Sequence, residues 1–326
     1  MKAFVLEYGE LKLIEMDEPA PKHGEVVVKL KTAGLNRRDL YIPNRYGSDR
    51  EALILGSDGA GIVEKTGEGV SKFKEGDEVI INPSLRWYNN TPVPPKDYDI
   101  LGMPDHGTFA EKIAISEEQL EPKPDHLSWE EAGVLALAAL TGYRALFTRG
   151  DLKKGETLFI PGAGSGVATF LIQFAKNIGA RVIVSSRSEE KRKKALDLGA
   201  DAAIDTNRDW IEQLAGESID LVIDSVGGAT FNRSLKAVKR GGKIVIFGAT
   251  TEDVIDFDLR NFFYGQYTLL GSTMGSREEL RDMLHHIHQF NMRPVIDRTF
   301  SLDDADQALN YLKASKQFGK IALTIS

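Results

Sequence analysis

Residues 157–179 read TLFIPGAGSGVATFLIQFAKNIG, and this stretch decides the fold. An apolar run stops at Pro161 and a glycine-dense turn, after which apolar residues recur at helical spacing. The glycines allow backbone dihedrals that are closed to other residues, and they leave room for a diphosphate against the amides that open the helix. The pattern G-x-G-x-x-G is incomplete, because Val167 stands where its third glycine would fall. The stretch predicts a strand, a turn and a helix, with an anion site formed by Gly162, Ala163, Gly164, Ser165, Gly166 and Val167.

A second apolar strand, RVIVSS at residues 181–186, follows the helix. In a dinucleotide-binding βαβ unit the end of this strand meets the adenosine ribose, where an acidic side chain would bond the 2′-hydroxyl and select NAD. No acid stands there: Ser185, Ser186 and Arg187 are suited to a 2′-phosphate, and Lys191 adds charge one turn into the next helix. These residues predict NADP as the coenzyme. The alternative is that Arg187 and Lys191 are simply solvated at the start of a helix.

Composition excludes several classes of protein. The chain has 326 residues, 42% of them hydrophobic, which suggests about two globular domains. Its formal net charge of −7, without a long basic run, argues against nucleic acid or an anionic membrane as the main partner. The absence of cysteine excludes disulfides, thiolate nucleophiles and cysteine-ligated zinc. The amino terminus lacks the apolar segment of a secretory signal, so we expect a cytoplasmic protein that acts on a small molecule.

The order of the segments predicts the fold class. Residues 1–125 read as short alternating strands separated by turns, the pattern of a partly open β-barrel. Residues 128–131 form a capping-box pattern before a buried helix over residues 132–147. From Thr157 strands alternate with helices near 166–178, 188–198, 208–215 and 230–239, which indicates a doubly wound parallel sheet. The prediction is an α/β protein with a β-rich domain over residues 1–125, completed by 268–326, and a nucleotide-binding domain over 126–267.

Several segments besides the glycine turn give the chain a family resemblance: TAGLNRRD at 32–39, LGSDGAG at 55–61, GTFAE at 107–111, TGYRA at 141–145 and FGKI at 318–321. Taken together, they resemble the zinc-independent quinone oxidoreductase branch of the medium-chain dehydrogenase/reductase superfamily, over essentially the whole chain. The resemblance implies a GroES-like catalytic domain, a Rossmann domain and a nicotinamide held between them. The usual family turn has small residues three apart, and these positions are Gly162, Ser165 and Ala168 in this chain. The turn of this chain thus departs from the family pattern, which leaves the implied fold intact and concerns only the individual phosphate contacts.

The zinc-dependent branch of the same superfamily has a similar outline, and its metal positions are replaced in this chain. Where that branch places a cysteine and a histidine ahead of the acid, this chain has Asn36 and Ser57, followed by Asp58. A neutral amide and a hydroxyl are poor ligands for zinc. The lobe that carries four cysteines in that branch has none here, and packing of Trp87, Tyr88 and prolines is expected to hold it instead. We therefore expect neither a catalytic nor a structural zinc.

Without a metal, the charge that develops on the acceptor's oxygen during hydride transfer needs hydrogen-bond donors or a proton source. By resemblance to the quinone-reductase pattern, Asn36, Asp39, Tyr41 and Tyr46 line the active site. We expect Tyr46 or Tyr41 to donate to the oxyanion, with Asn36 as a second donor. We expect Asp39 to fix their geometry. The alternative is that both tyrosines are half-buried packing residues whose hydroxyls face water.

Further coenzyme contacts are implied by the same resemblance. Thr141 matches the threonine that packs on the nicotinamide; its alternative is a helix residue that bonds its own backbone. Of Arg37 and Arg38, one is expected to reach the diphosphate and the other to lie at the surface, unless both lie there. The remaining matches are backbone contacts with the carboxamide and a charge near the diphosphate, at Gly248, Ala249, Gly271, Ser272, Phe318 and Lys320.

Other candidate groups carry less weight. The three histidines at 285, 286 and 288 share one helix, but no carboxylate or further histidine joins them in register, so we interpret them as a solvated face. His106 is interpreted as a loop histidine that bonds backbone rather than a cleft residue. The nucleophile-elbow pattern G-x-S-x-G is absent, which excludes a serine hydrolase of that type.

The sequence thus predicts an NADPH-dependent, zinc-free oxidoreductase that transfers hydride to a quinone or an α,β-unsaturated carbonyl compound. A medium-chain alcohol dehydrogenase or carbonyl reductase is the alternative within the class, because it needs the same hydride geometry. A non-catalytic NADPH-binding protein, as in lens crystallins of this fold, is the alternative from another class. Family analogy predicts a homodimer that pairs through the last Rossmann strand, near residues 267–270.

Overall fold

The computed structural model describes all 326 residues, which divide into two compact units. The first unit comprises residues 1–138 and 275–326, and the second comprises residues 139–274. Both boundaries lie somewhat later in the chain than residues 125 and 267, where the sequence pattern changes. The helical segment that follows residue 128 therefore belongs with the first unit as far as Ala138.

The part of the first unit over residues 1–138 consists of short strands with little helix. Its ten strands are β1 (Lys2–Glu7), β2 (Glu10–Glu15), β3 (Glu25–Gly34), β4 (Leu53–Ile54), β5 (Asp58–Thr66), β6 (Glu78–Ile81), β7 (Ser84–Leu85), β8 (Asp99–Ile100), β9 (Lys112–Ser116) and β10 (Leu120–Pro122). Its helices are α1 (Ile42–Tyr46), α2 (Trp129–Gly133) and the start of α3 (Ala136–Tyr143), and 3-10 turns cover Arg37–Leu40 and Glu117–Gln119.

Residues 139–274 alternate strand and helix, as their sequence predicts. The strands are β11 (Thr157–Pro161), β12 (Arg181–Ser186), β13 (Ala202–Asp205), β14 (Ile219–Asp224), β15 (Val238–Ile246) and β16 (Thr268–Gly271). The helices are α4 (Gly166–Asn177), α5 (Glu189–Asp197), α6 (Trp210–Gln213), α7 (Gly228–Ala237) and α8 (Leu259–Gly265), and a π-helical segment covers Arg144–Arg149. The six strands form one parallel sheet in the order β13-β12-β11-β14-β15-β16, which confirms the predicted doubly wound domain.

The last part of the chain, residues 275–326, belongs to the first unit. It contains α9 (Arg277–Gln289), β17 (Ile296–Ser301), a 3-10 turn at Leu302–Asp304, α10 (Ala305–Lys313) and β18 (Lys320–Thr324). Strand β18 pairs with β17 and with β3, so it completes a seven-stranded sheet whose main path is β10-β6-β5-β3-β18-β17, with β9 also paired to β3. The buried apolar side chains of this sheet form the core of the unit, against which α10 packs.

Two helical details differ from the prediction. The expected continuous helix over residues 132–147 is broken at Val134 and Leu135, and its last turn is π-helical. Directly before the break, Gly133 packs closely against β3, since a Cβ on Gly133 would lie 2.6 Å from Cβ of Thr32. Helix α8 was not predicted; it is short and begins at Asp258, whose side chain accepts from the amide of Asn261. None of the helices has both the length and the apolar character required to traverse a lipid bilayer.

Candidate active site

Strand β3 brings three distant segments of the first unit together at its end. Gly34 is paired with Asp58 of β5 and with Ala322 of β18, so the residues that flank these pairs lie close in space. The chain leaves β3 through Asn36 into the 3-10 turn Arg37–Leu40. Asn36, Asp39, Asp58 and Lys320 thereby form a buried polar cluster, none of them more than 7% exposed.

The Lys320 ammonium is the centre of this cluster. Its Nζ donates to Oδ1 of Asn36 at 2.6 Å, to the carbonyl oxygen of Leu35 at 2.9 Å and to Oδ2 of Asp58 at 3.1 Å. A lysine ammonium has three N–H donors, so all three are used within the protein. The sequence analysis places this charge near the coenzyme diphosphate. The side chain is 3% exposed and its three donors are occupied within the protein. Its contact with a diphosphate stays a prediction.

The amide of Asn36 has one orientation in this environment. Because an ammonium only donates, Oδ1 must face Lys320, and Nδ2 then donates to Oδ2 of Asp58 at 2.9 Å and to the carbonyl oxygen of Gly34 at 3.4 Å. Asp58 is held from a further side, where its Oδ1 accepts from the amide of Leu137 at 2.7 Å. The predicted role of Asn36 as a second donor to substrate stays a prediction, and its amide hydrogens already have protein acceptors.

Asp39 caps the turn that follows Asn36. Its Oδ2 accepts from the backbone amide of Asn36 at 2.7 Å. Its role in fixing the geometry of the expected donors stays a prediction. Its Oδ1 is buried and has no hydrogen-bond partner. Burial raises the pKa of this carboxyl to about 6, against the opposing effects of Arg38, the Asn36 amide and Lys320.

The two candidate tyrosines differ in what their hydroxyls contact. The Tyr46 hydroxyl donates to the carbonyl oxygen of Glu51 at 3.3 Å, and its ring lies beneath Arg50, 5.3 Å from the guanidinium carbon. Tyr41 closes the 3-10 turn and is half-buried, and its hydroxyl makes no hydrogen bond within the protein. Tyr41 is therefore the tyrosine whose hydroxyl is available as a donor.

Both arginines that follow Asn36 are anchored within the first unit. Arg37 Nη1 donates to Oγ of Ser315 at 2.8 Å, beyond the end of α10. Arg38 Nη1 donates to Oγ of Ser57 at 2.6 Å and to the carbonyl oxygen of Leu101 at 2.7 Å. One of them was expected to reach the diphosphate and the other to lie at the surface, unless both lay there; in the structure both tie segments of the first unit together.

The residues at the metal positions do not fit a zinc ion. The Oγ of Ser57 accepts from Nη1 of Arg38 and donates to the carbonyl oxygen of Leu101 at 2.7 Å. The Oδ1 of Asn36 accepts from Nζ of Lys320. Asp58 is the one good zinc donor among the three, and it is paired with the ammonium. No group of three or more histidine, cysteine or acidic side chains in the structure is arranged to hold a metal.

The backbone amides of the glycine turn in the second unit fall into two groups. Gly162 has a φ of +84°, and the amides of Gly162 and Ala163 donate to the carbonyl oxygen of Ser185 at 3.1 and 2.9 Å. Ser165 caps α4, since its Oγ accepts from the amide of Ala168 at 3.1 Å. The amides of Gly164, Gly166 and Val167 at the start of α4 make no such bond, and their contact with an anion stays a prediction.

Lys191 lies across this turn. A Cβ on Gly164 would be 2.7 Å from Cδ of Lys191 and 3.1 Å from its Nζ, so the glycine makes room for the lysine side chain. The half-buried lysine is thus directed to the turn rather than into solvent at the start of α5. A cation at this place complements the helix amides as a site for phosphate oxygens.

The end of β12 supplies the other predicted coenzyme residues. Ser185 is fully buried and its Oγ has no partner, whereas Oγ of Ser186 accepts from the amide of Ser188 at 3.2 Å. Arg187 is exposed, and its side chain makes no hydrogen bond or ion pair within the protein. Sequence reasoning missed Arg192, whose Nη1 donates to the carbonyl oxygen of Ser186 at 2.7 Å and lies 3.6 Å from Oδ1 of Asp205. Its only signal is its place one residue after Lys191.

The remaining predicted coenzyme residues lie at strand ends and on α3. Thr141 is 8% exposed on α3, where the neighbouring Gly142 packs against Val167 of α4. The amide of Ser272, after β16, donates to the carbonyl oxygen of Ile246 at 2.8 Å, and Gly271 accepts from Nε of Arg149 at 2.9 Å. Gly248 and Ala249 follow β15 at the same carboxyl edge of the parallel sheet. Phe318 belongs to the first unit, where its amide donates to Oδ1 of Asp297 at 3.1 Å.

His106 and His286 take structural roles. Nδ1 of His106 accepts from the amide of Ile54 at 3.2 Å, and burial lowers the pKa of this imidazole. This contact agrees with its interpretation as a loop histidine that bonds backbone. His286 stacks near Phe290, with ring centres 4.6 Å apart, and burial lowers its pKa as well.

Two family models match the chain. The model described as the alcohol dehydrogenase GroES-like domain matches residues 22–125, and the model described as zinc-binding dehydrogenase matches residues 166–289. A zinc-type alcohol dehydrogenase-like protein, YogA, from Leptosphaeria maculans is 33% identical over 98% of this chain and 95% of its own length. The chain belongs to the medium-chain dehydrogenase/reductase superfamily. It is an oxidoreductase, and the predicted superfamily and α/β fold class are confirmed.

Other members of the superfamily extend the comparison. An acryloyl-coenzyme A reductase from Metallosphaera sedula is 31% identical over 99% of this chain and all of its own. A solved NAD-dependent alcohol dehydrogenase superimposes with a TM-score of 0.91 at 33% identity, covering both chains fully. A crotonyl-CoA carboxylase/reductase, AntE, solved in complex with NADP, superimposes with a TM-score of 0.89 at 26% identity, covering all of this chain and 94% of that one. The quinone-reductase-like, zinc-independent branch stays a prediction.

Proposed function

We propose that this chain is an NADPH-dependent, zinc-free reductase that adds hydride to an α,β-unsaturated carbonyl compound or to a quinone. The bonding of the Lys320 ammonium to Asn36 and Asp58 carries the proposal, because it removes the donors a zinc ion would need. We favour the α,β-unsaturated carbonyl over the quinone. Support comes from the similarity to an acryloyl-coenzyme A reductase and to a crotonyl-CoA carboxylase/reductase, whose names describe such acceptors.

The second unit has the residues expected to hold NADPH. The free amides at the start of α4 and the ammonium of Lys191 suit the diphosphate. The unpartnered Oγ of Ser185 and the uncommitted guanidinium of Arg187 suit a 2′-phosphate, and no acidic side chain ends β12 to select the 2′-hydroxyl. When bound, the coenzyme supplies the hydride. In this proposal Thr141 and the strand ends at Gly248 and Gly271 orient the nicotinamide.

In this proposal the first unit provides the hydrogen-bond donor for the negative charge that hydride transfer creates on the substrate. Hydride addition at the β-carbon moves an electron pair onto the carbonyl oxygen, which then requires a donor. The Tyr41 hydroxyl is the donor in this proposal, since that of Tyr46 is bonded to Glu51. A proton from Tyr41 or water completes the saturated carbonyl product, so one hydride and one proton are added for each NADPH consumed.

The test is a panel of acceptors on protein of measured metal content. NADPH and NADH are each assayed with but-3-en-2-one, crotonyl-CoA, 1,4-benzoquinone and butanal, with and without 1,10-phenanthroline. We expect NADPH-dependent reduction of the unsaturated carbonyls that chelator leaves unchanged. Stoichiometric zinc together with loss of activity in chelator would contradict the proposal.

The same panel separates the alternatives. Faster turnover of butanal than of any enone would favour a carbonyl reductase or alcohol dehydrogenase. Tight NADPH binding without oxidation by any acceptor would favour a non-catalytic binding protein. Preference for NADH in both binding and turnover would contradict the 2′-phosphate assignment.

We also propose that the protein is a homodimer paired through β16. This strand lies at the edge of the parallel sheet and bonds to β15 on one side only. Leu269 on the strand is 40% exposed, and Phe263 and Tyr264 on α8 are 51% and 60% exposed. An unpaired edge with apolar side chains favours association with a second copy. Light scattering should give twice the chain mass for the wild type and one chain mass for Leu269→Lys; a monomeric wild type would contradict the proposal.

A further inference from the structure

The proposed reaction makes no direct use of the buried ion pair between Lys320 and Asp58. Their side chains are 3% and 0% exposed, and taking two charges out of water costs free energy that their attraction offsets only with good geometry and further hydrogen bonds. The hydrogen bonding of this pair is complete. The Lys320 ammonium donates to three acceptors, and the Asp58 carboxylate accepts from the amide of Leu137, from Nδ2 of Asn36 and from Nζ of Lys320. An apolar pair would hold the same strands together, so the charges themselves call for an explanation.

A third charge lies beside this pair. Asp39 is fully buried, its Oδ2 accepts from the Asn36 amide, and its Oδ1 has no partner. The charged groups that act on it are Arg38 and Lys320, which favour its ionised form, and Asp58, which opposes it. Protonation would weaken the charge-assisted bond to Asn36 and would leave a buried hydroxyl without an acceptor.

We propose that Lys320 and Asp58 are positioning residues, an opposed pair of charges that sets whether Asp39 is ionised and thereby whether the turn from Asn36 to Tyr41 is held. Together with Arg38, Lys320 favours the ionised form of Asp39, and Asp58 limits that effect. The inference rests on the proposed function only for what Tyr41 does with substrate; the coupling of the three charges does not depend on it.

Opposite effects of the two charges give a test that structural damage cannot imitate. The protein is labelled with aspartate carrying ¹³C at the carboxyl carbon, and the Asp39 resonance is assigned by its loss in Asp39→Asn. The resonance is then titrated in the wild type, in Lys320→Met and in Asp58→Asn. We expect the midpoint to rise by about one pH unit in Lys320→Met and to fall by about one unit in Asp58→Asn.

Two controls accompany these variants. Lys320→Arg keeps the cation and should leave the midpoint near that of the wild type. Lys123→Met removes another largely buried lysine of the first unit, whose Nζ lies 3.0 Å from Oε2 of Glu78, and should leave it unchanged. If Lys320→Met fails to fold, Asp58→Asn decides alone: a fall supports the inference, and a rise or no change overturns it.

Activity gives a separate readout. The acid limb of kcat/KM for enone reduction should move in the same opposite directions in the two variants. Midpoints that shift as expected in a protein without enone reductase activity would refute the proposed function and leave this inference standing. Midpoints that move in the same direction in both variants, or in neither, would overturn it whatever the activity.

Discussion

Gly34 at the end of β3 lies directly against Gly133 at the end of α2: a Cβ on Gly34 would be 2.8 Å from the Gly133 carbonyl oxygen and 3.0 Å from Cβ of Asp58. The close approach is what allows the amide of Leu137, shortly after α2, to reach Asp58. Two glycines thus set the distance between the strand that carries the buried cluster and the segment that closes over it.

Gly34→Ala should therefore destabilise the first unit and disturb the cluster. We expect a loss of about 2–3 kcal/mol in the free energy of unfolding, because the new methyl group meets backbone atoms that have no room to shift. Gly142→Ala is the matched control, since a Cβ there would make only ordinary contacts, the nearest 3.4 Å from Val167. Urea denaturation measures both. Equal stability of the two variants would show that the Gly34 contact can relax.

Tyr41→Phe and Tyr46→Phe should differ in kinetics. Loss of the Tyr41 hydroxyl removes the proposed donor to the substrate oxygen, and we expect kcat to fall about 100-fold, with NADPH affinity unchanged. Tyr46→Phe removes only a bond to the Glu51 carbonyl and should keep kcat within about threefold of the wild type. Steady-state rates with an enone measure both. The reverse order would assign the donor role to Tyr46.

Coenzyme selection should depend on Arg187 and Lys191. Each alanine variant should weaken NADPH binding about 10- to 100-fold, because a charge-assisted contact to phosphate is lost. For Arg187→Ala, NADH binding should be nearly unchanged, since NADH lacks the 2′-phosphate. Lys193→Ala is the control on the same helix, where the lysine pairs with Asp197 at the surface. Fluorescence titration with both coenzymes gives the values, and equal losses for NADPH and NADH in Arg187→Ala would contradict the assignment.

Stability should fall with rising pH through the titration of Asp39. Because burial raises the pKa of this acid to about 6 in the folded protein, the native state binds the proton more tightly than the unfolded chain. The contribution is fully present below pH 4, is lost as pH rises to about 6, and amounts to about 3 kcal/mol. Asp39→Asn cannot ionise, so its stability relative to the wild type should increase over this window. A constant difference between pH 4 and 7 would contradict the raised pKa.

Trp87 should hold the lobe over residues 82–107. The indole is 1% exposed, packs edge-on against Tyr98 with ring centres 5.4 Å apart, and donates from Nε1 to Oγ1 of Thr91 at 2.9 Å. Trp87→Ala should cost about 3–5 kcal/mol and expose the lobe to proteases. Tyr88→Ala, at a side chain that is 39% exposed, should cost little. Limited proteolysis with mass mapping distinguishes them, and a protected lobe in Trp87→Ala would remove this role.

The sequence predicted the fold well where the signal is local. The glycine turn, the strand after it and the alternation that follows each depend on residues close together in the chain, and α4 to α7 lie where they were expected. The segment from Ala132 to Phe147 was predicted as one helix because its apolar spacing is continuous. In the structure the helix is interrupted next to Gly133, which packs against Thr32, and no local pattern in the sequence indicates a contact across about a hundred residues.

The site was predicted in part for the same reason. Asn36, Asp39 and Asp58 were recognised from short segments, and the structure brings them together. The ammonium of Lys320, which was expected near the coenzyme diphosphate, lies among these residues because the pairing of β3 with β18 joins positions 284 residues apart. Its contact with the diphosphate stays a prediction. Arg38 and Ser57 are a similar case, since only the folded chain places their side chains 2.6 Å apart.

The discontinuity of the first unit has a consequence for biosynthesis. The segment over residues 139–274 contains every strand of its own sheet, so it can reach its final topology while later codons are still being translated. Asp58, by contrast, has to wait for its counter-ion until β18 has left the ribosome. A premature stop codon before residue 320 would therefore yield a chain with an intact nucleotide-binding sheet and an uncompensated internal anion, which chaperones and proteases would meet as a defective product.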